Sequence, residues 1–96
     1  MRRDICLDEA KKCVCEDRNN QYGEPEDNFK IIADYWDLYL KSKKYIHGDS
    51  RISSDDVAIM MALFKIARMA NKQNKVDTFV DAIGYLACGC EIASNG

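Results

Sequence analysis

Residues 57–70 read VAIMMALFKIARMA and contain two charged side chains, Lys65 and Arg68, one helical turn apart. Apolar residues fill the other twelve positions, so a helix over this segment has no polar face to turn toward water. We therefore predict that this helix is buried, either inside a bundle or at an interface between subunits. Burying two cations is costly unless anions compensate them, so carboxylates or an anionic ligand must lie nearby.

The rest of the sequence predicts an all-α fold, a small bundle of about four helices. Apolar spacing predicts helices over approximately residues 4–19, 25–43, 54–71 and 76–93. Pro25 suits a first helical position, and Ser53 with Asp56 has the spacing of a capping box. The short polar segment 72–75 makes the last two predicted helices antiparallel neighbours. We expect one helical domain, 1–96, built around this central hairpin.

Composition excludes several classes of function. The net charge is −2 and no basic block is present, so we expect no binding to a nucleic acid polymer. No run of about twenty apolar residues and no signal sequence occur, which predicts no membrane span and a cytoplasmic location, in the host cell if the chain is phage-encoded. A chain of 96 residues has a marginal core, and the helix over 57–70 offers surplus apolar surface. We therefore expect an even-numbered homo-oligomer.

Asp77 and Asp81 form a pair of carboxylates one turn apart on the last predicted helix. In an antiparallel hairpin, Arg68 should reach Asp77 or Asp81, and Lys65 should reach Asp81. The pattern leaves three interpretations open. The four charges could be a structural ion-pair cluster, the cations could bind phosphate, or the two carboxylates could hold Mg²⁺.

The connection at residues 18–29, RNNQYGEPEDNF, is rich in amides and aromatic rings. Amide and aromatic side chains can hydrogen-bond to a base and stack on it, and an arginine can bind a phosphate with two hydrogen bonds. A capped helix–helix connection explains the same residues without any ligand. The candidate ligand-binding residues of the chain are Arg18, Tyr22, Asn28, Trp36, Lys65, Arg68, Asp77, Asp81 and Tyr85.

The order of motifs resembles a family of small phage and prophage proteins of unknown function. The motifs are R-x-x-Q-Y-G-x-P-x-x-N-F from Arg18, I-A-x-x-W from Ile32, D-V-A-x-x-M-x-x-x-K-I-A-R from Asp56, and D-x-x-x-D-x-x-G-Y from Asp77. The resemblance covers approximately residues 18–91. It identifies a family better than it identifies a function.

A more distant resemblance is to the all-α MazG-like nucleoside triphosphate pyrophosphatases, whose paired acidic motifs hold Mg²⁺ against the phosphates of a nucleotide. Asp81 matches the last acid of the second motif, but Thr78 stands where its glutamate would be. Lys65 and Arg68 stand where the first motif has two acids. A site with two cations in place of two carboxylates repels Mg²⁺ and attracts phosphate directly.

These substitutions favour a nucleotide-binding protein without hydrolytic activity and without a cofactor. Lys65 and Arg68 would neutralise the phosphates, Asp77 and Asp81 would orient them, and aromatic side chains would stack on the base. One alternative is a Mg²⁺-dependent pyrophosphatase, with Asp77 and Asp81 as metal ligands. Another is a purely structural or interaction module, in which the four charged residues fix the register of a subunit interface.

Overall fold

A computed structural model describes residues 1–71 and 75–95 of the chain, without the side chain of Arg18. In these ranges the chain consists of helices and their connections, with no strand. The all-α fold predicted from the sequence is therefore confirmed. None of the described helices is long and apolar enough to cross a membrane.

The helices are α1 (Arg3–Lys12), α2 (Arg18–Tyr22), α3 (Pro25–Ser42), α4 (Ser54–Ala70) and α5 (Val76–Asn95). A π-helical turn, Cys13–Asp17, joins α1 to α2 without a break. The first helical rod therefore continues to Tyr22, beyond the predicted end at residue 19. It ends at Gly23, whose φ of 82° is a conformation that glycine adopts without strain. Residues 72–74 of the predicted polar turn, 72–75, lie outside the described residues.

Local signals in the sequence correctly placed the starts of α3 and α4. Pro25 is the first residue of α3, where its missing N–H leaves no helical hydrogen bond unmade. At α4, the backbone N–H of Asp56 donates to Ser53 Oγ over 3.3 Å, and the backbone N–H of Ser53 donates to Asp56 Oδ2 over 2.9 Å. This reciprocal pair is the predicted capping box.

The hairpin of α4 and α5 is the centre of the fold, and α1 and α3 pack against it. The two helices run antiparallel, since Ala58 lies opposite Gly89 and Lys65 lies opposite Asp81. A Cβ atom on Gly89 would lie 2.9 Å from the Cβ atom of Ala58, so the two backbones approach closely at this point. The buried core next to this contact contains Phe29, Ala33, Val57, Ala58 and Cys88.

A side-chain hydrogen bond fixes the connection between α3 and α4. The backbone N–H of Ile52 donates to Asp37 Oδ1 over 3.2 Å, and Lys41 Nζ lies 3.0 Å from Asp37 Oδ2. The hydrogen bond from Lys41, followed by that from Ile52, holds the pKa of the Asp37 carboxyl below its usual value of 3.8, although partial burial opposes the shift. Because the folded pKa is lowered, this contribution to stability is present at neutral pH and is lost as the pH falls through the lowered pKa.

The segment 57–70 is not buried on all sides by its own chain. Val57, Ala58 and Ala62 are buried, whereas Ile59, Leu63 and other large apolar side chains of α4 are about half exposed. Of the two alternatives that the sequence left open, burial inside the bundle of one chain is wrong, because α1 and α3 cover one side of the hairpin. Burial at an interface between subunits stays a prediction.

Candidate functional site

A cavity of about 90 Å³ lies where the π-helical turn, α2 and α3 meet the hairpin. Every helix after α1 contributes to its wall. Its apolar lining includes Val14, Ile32, Met61 and Val80. Its polar lining includes Asn19, Tyr22, Asn28, Asp81 and Tyr85.

Two of the motifs read from the sequence meet at this cavity. The connection of residues 18–29 contributes Tyr22, Asn28 and Phe29, and α5 contributes Asp81 and Tyr85. These segments lie at opposite ends of the chain, and the fold brings them to one place. Four predicted ligand-binding residues, Tyr22, Asn28, Asp81 and Tyr85, therefore line a common cavity.

Close packing between Gly84 and the first helical rod shapes one wall. A Cβ atom on Gly84 would lie 2.8 Å from Val14 Cγ1, so a larger residue at this position would force the Val14 side chain or its helical turn to shift. Val14 belongs to the π-helical turn, and π-helical turns are frequent at functional sites. The motif residue Gly84 was not among the predicted site residues. A glycine inside a helix costs about 1 kcal/mol relative to alanine, so its presence there was the available signal of close packing.

The polar groups of the wall differ in their hydrogen bonding. Asn19 Nδ2 donates to Glu24 Oε1 over 3.1 Å, which ties α2 to the start of α3. The Asn28 side chain is half-buried, and in the described part of the chain it has no hydrogen-bond partner. The rings of Phe29 and Tyr85 lie with centroids 6.2 Å apart and planes tilted by 35°. The cavity therefore combines an available amide with the edges and faces of two aromatic rings.

An ion pair lies at the edge of the cavity, as the hairpin register predicted. Lys65 Nζ is 3.0 Å from Asp81 Oδ2, and the two side chains are 19% and 25% exposed. Asp81 lines the cavity, while Lys65 approaches it from the neighbouring helix. The carboxylate compensates the cation that α4 carries toward the core.

The second predicted ion pair, from Arg68 to Asp77 or Asp81, is wrong. The Arg68 guanidinium lies over the ring of Phe64 at 4.6 Å from the ring centroid, in a cation–π contact. No carboxylate lies within 4.0 Å of Arg68 among residues 1–71 and 75–95. The physical reason is the helical spacing. Phe64 lies four residues before Arg68, so both side chains lie on the same face of α4. Lys65 lies about 60° around the helix axis from Arg68, on the side that faces α5.

The structure places two further predicted site residues, Trp36 and Asp77, away from the cavity wall. Trp36 packs against the buried core, and Asp77 is exposed near the start of α5. The side chain of Arg18 lies outside the described residues. Among the described residues, no three His, Cys, Asp or Glu side chains group in a way that could hold a metal ion.

The ion pair at the cavity edge should couple Lys65 to Asp81 in stability. We expect a double-mutant cycle of Lys65→Met and Asp81→Asn, measured by urea unfolding, to give a coupling of about 0.5–1 kcal/mol, because both side chains keep some contact with water. Either substitution alone should lower stability, because each leaves a partly buried charge without its partner.

The matched control for this cycle is the pair Lys30 and Asp34 on α3. Its charged atoms lie 3.7 Å apart and its side chains are 73% and 59% exposed. The cycle of Lys30→Met and Asp34→Asn should give a coupling close to zero. Equal coupling in the two cycles would show that the pair at the cavity is not protected from solvent.

Comparison with known proteins identifies the family of the chain. A family model described as a domain of unknown function, DUF6378, matches residues 5–93. The chain belongs to this family. It is 39% identical over 82 residues to the Gene 55 protein of Mycobacterium phage D29 and 33% identical over 79 residues to the Gene 55 protein of Mycobacterium phage L5.

The aligned segments cover 85% and 82% of this chain but 49% and 46% of the two phage proteins. The chain therefore spans about half the length of the curated relatives it matches. No solved structure matches it significantly. The resemblance to phage proteins of unknown function is confirmed at the level of the family.

Proposed function

We propose that this DUF6378 domain binds a nucleotide, or a small molecule derived from one, at the cavity and does not hydrolyse it. The proposal rests on one observation: two distant polar-aromatic segments converge on one cavity. A pocket that served only packing would favour apolar side chains on every wall, because each buried polar group must find a partner.

The size of the cavity indicates which part of a nucleotide enters it. Pockets that enclose a whole small molecule measure about 300–1,000 Å³, several times the roughly 90 Å³ found here. The cavity therefore accepts one planar group of a ligand, and the rest of the ligand lies outside its opening. The base is that group, because an apolar floor and aromatic walls suit a ring better than a hydrated phosphate.

Hydrogen bonding at the wall supplies the selectivity for a base. Asn28 offers both an N–H donor and a carbonyl acceptor, the combination that pairs with the polar edge of a base. The Asp81 carboxylate offers further acceptors. Lys65, which pairs with Asp81 at the edge of this wall, would contact the phosphates outside the cavity.

The charge of the site supports binding over hydrolysis. A pyrophosphatase of the Mg²⁺-dependent type needs several carboxylates directed at one metal ion. Here the Asp81 carboxylate forms an ion pair with Lys65, and Asp77 does not line the cavity. In an infected cell, a phage-encoded binder of this kind would sequester its nucleotide rather than convert it.

Removing the available amide should weaken binding. We expect isothermal titration without metal, against a panel of linear and cyclic nucleotides, to identify a ligand, and Asn28→Ala to bind it about tenfold more weakly, as the loss of one or two hydrogen bonds implies. Asn20→Ala is the matched control, because Asn20 is exposed and does not line the cavity. No heat of binding across the panel would remove the proposal.

A second measurement separates binding from catalysis. The nucleotide bound in the titration should remain intact on incubation with the protein and Mg²⁺, as followed by phosphorus nuclear magnetic resonance. Release of pyrophosphate that disappears in Asp81→Asn would contradict the non-hydrolytic proposal and favour the Mg²⁺-dependent alternative.

A further inference from the structure

The side of the hairpin opposite the cavity is apolar and uncovered. Ala58 and Ala62 of α4 and Thr78, Ala82 and Gly89 of α5 are buried where the two helices meet. The residue that follows a contacting residue lies about 100° further around its helix. Because α4 and α5 are antiparallel, the residues that follow the contacting residues on the two helices lie on the same side of the hairpin.

That side carries a row of large apolar residues on each helix, although Gly89 is followed by the smaller Cys90. These large residues are Ile59, Leu63 and Ile66 on α4, and Phe79, Ile83 and Leu86 on α5. Five of the six are 48–56% exposed, and Ile83 is half-buried. We refer to these six residues as the bare face of the hairpin. The residues that precede the contacting positions, such as Met61 and Asp81, instead line the cavity.

The spacing along the bare face is that of helices that pack against other helices. Its residues on α4 lie four and then three positions apart, and those on α5 lie four and then three apart. This spacing produces a narrow apolar stripe and a crossing angle of about 20° in helix bundles. No charged residue belongs to either stripe. The exposed residues Ile31, Tyr35 and Leu38 of α3 have the same spacing, but the charged pair Lys30 and Asp34 lies directly beside their stripe.

We infer that the bare face binds the same face of a second copy of this chain, so that two hairpins form a four-helix bundle about a twofold axis. Five half-exposed large side chains, with Ile83 and the small residues between them, offer roughly 600 Å² of apolar surface, which approaches the 800 Å² per partner of a standard interface. A face without charge is complementary to itself, as a twofold contact requires. Such an interface would also cover the exposed side of α4.

The wild-type chain tests this inference directly. Sedimentation equilibrium should give twice the chain mass of 11.0 kDa, and the melting temperature should rise with protein concentration, as it does when dissociation accompanies unfolding. A mass of 11.0 kDa at all concentrations, with a constant melting temperature, would overturn the inference. A face that belongs to a different polypeptide would give that result.

Variants locate the interface. Leu63→Glu and Leu86→Glu should each weaken dimerisation at least tenfold while preserving helical circular dichroism, because both side chains already contact solvent in the single chain. Leu38→Glu on α3 is the matched control, since Leu38 is 63% exposed but lies outside the bare face. Equal weakening by all three variants would contradict the assignment. If the first two variants lose helicity, the concentration dependence of the wild-type chain decides the question.

The cavity and the bare face lie on opposite sides of the hairpin, so the two proposals fail independently. Nucleotide titration of Leu63→Glu should give the wild-type affinity per chain. Loss of dimerisation with intact binding supports both proposals, whereas a dimeric wild-type chain that binds no nucleotide removes only the proposed function.

Discussion

Phe29→Ala is expected to lower the free energy of unfolding by about 3–5 kcal/mol, the range for removing a buried aromatic ring. Phe29 is 7% exposed and belongs to the core cluster with Val57, Ala58 and Cys88. Its ring also lies against Tyr85 at the cavity wall. Truncation would join the space of the ring to a cavity that already exists, so the surrounding side chains have little means of closing the void.

Urea unfolding at one fixed protein concentration measures this change, because association would make stability depend on concentration. Tyr35→Ala is the control on the same helix: Tyr35 is 68% exposed, and the expected change is within about 0.5 kcal/mol. If Phe29→Ala does not fold, Phe29→Leu keeps most of the volume and should lose about 1–1.5 kcal/mol. A loss below 0.5 kcal/mol in both variants would show that Phe29 does not anchor the core.

The same residue links stability to the proposed function. Phe29 follows directly after Asn28, so the helical turn that buries the ring also places the amide at the cavity. In the motif N-F, Phe29 therefore packs in the core, and Asn28 lines the cavity of the proposed site. A binding assay on Phe29→Leu distinguishes these roles, since a purely structural ring can be replaced without loss of affinity in the molecules that remain folded.

Much of the fold could be predicted because its signals are local. Pro25 and the pair Ser53 and Asp56 determine helix starts through their own backbone geometry, so the sequence alone places them well. The hairpin register follows from a short connection, and it correctly brought Lys65 to Asp81. These features need no knowledge of the rest of the molecule.

The parts that could not be predicted depend on tertiary contacts. The π-helical turn at Cys13–Asp17 extends the first rod to Tyr22, and no local pattern in this segment indicates a widened turn. Arg68 contacts the ring of Phe64 and not a carboxylate, because the direction of its side chain determines its partner. The hairpin register, which pairs residues by number alone, does not give that direction. The cavity itself exists only once α2, α3 and α5 have met, so the sequence could suggest its residues but not its location.

The apolar surface of α4 exceeds what its own chain covers. The sequence predicted a helix without a water-facing side, and the chain covers one side of α4 with α3, next to its contact with α5. The other side is left with half-exposed Ile59, Leu63 and Ile66. The hairpin of α4 and α5 therefore has two different sides. The side at the cavity carries polar and apolar residues, and the bare face carries only apolar residues.

The close approach of α4 and α5 leads to a second large effect, at Gly89. We expect Gly89→Ala to lower the free energy of unfolding by about 1–2 kcal/mol. Alanine favours a helix over glycine by about 1 kcal/mol, but its Cβ would lie 2.9 Å from the Cβ of Ala58, and overpacking of a fixed core contact costs about 1–3 kcal/mol. The packing loss should exceed the helix gain because both Cβ atoms are attached rigidly to backbones.

A compensating change makes this prediction specific to the contact. Ala58→Gly removes the opposing methyl group, so the double variant Ala58→Gly with Gly89→Ala should recover most of the stability lost by Gly89→Ala, and a double-mutant cycle should show coupling of about 1–2 kcal/mol. Chemical unfolding of the four proteins gives the result. Ala87→Gly, at an exposed position of α5, is the control for the intrinsic helix preference. Additive effects of the two substitutions would mean that α4 and α5 shift apart freely at Gly89. In that case the close contact of Gly89 with Ala58 would not determine the shape of the cavity.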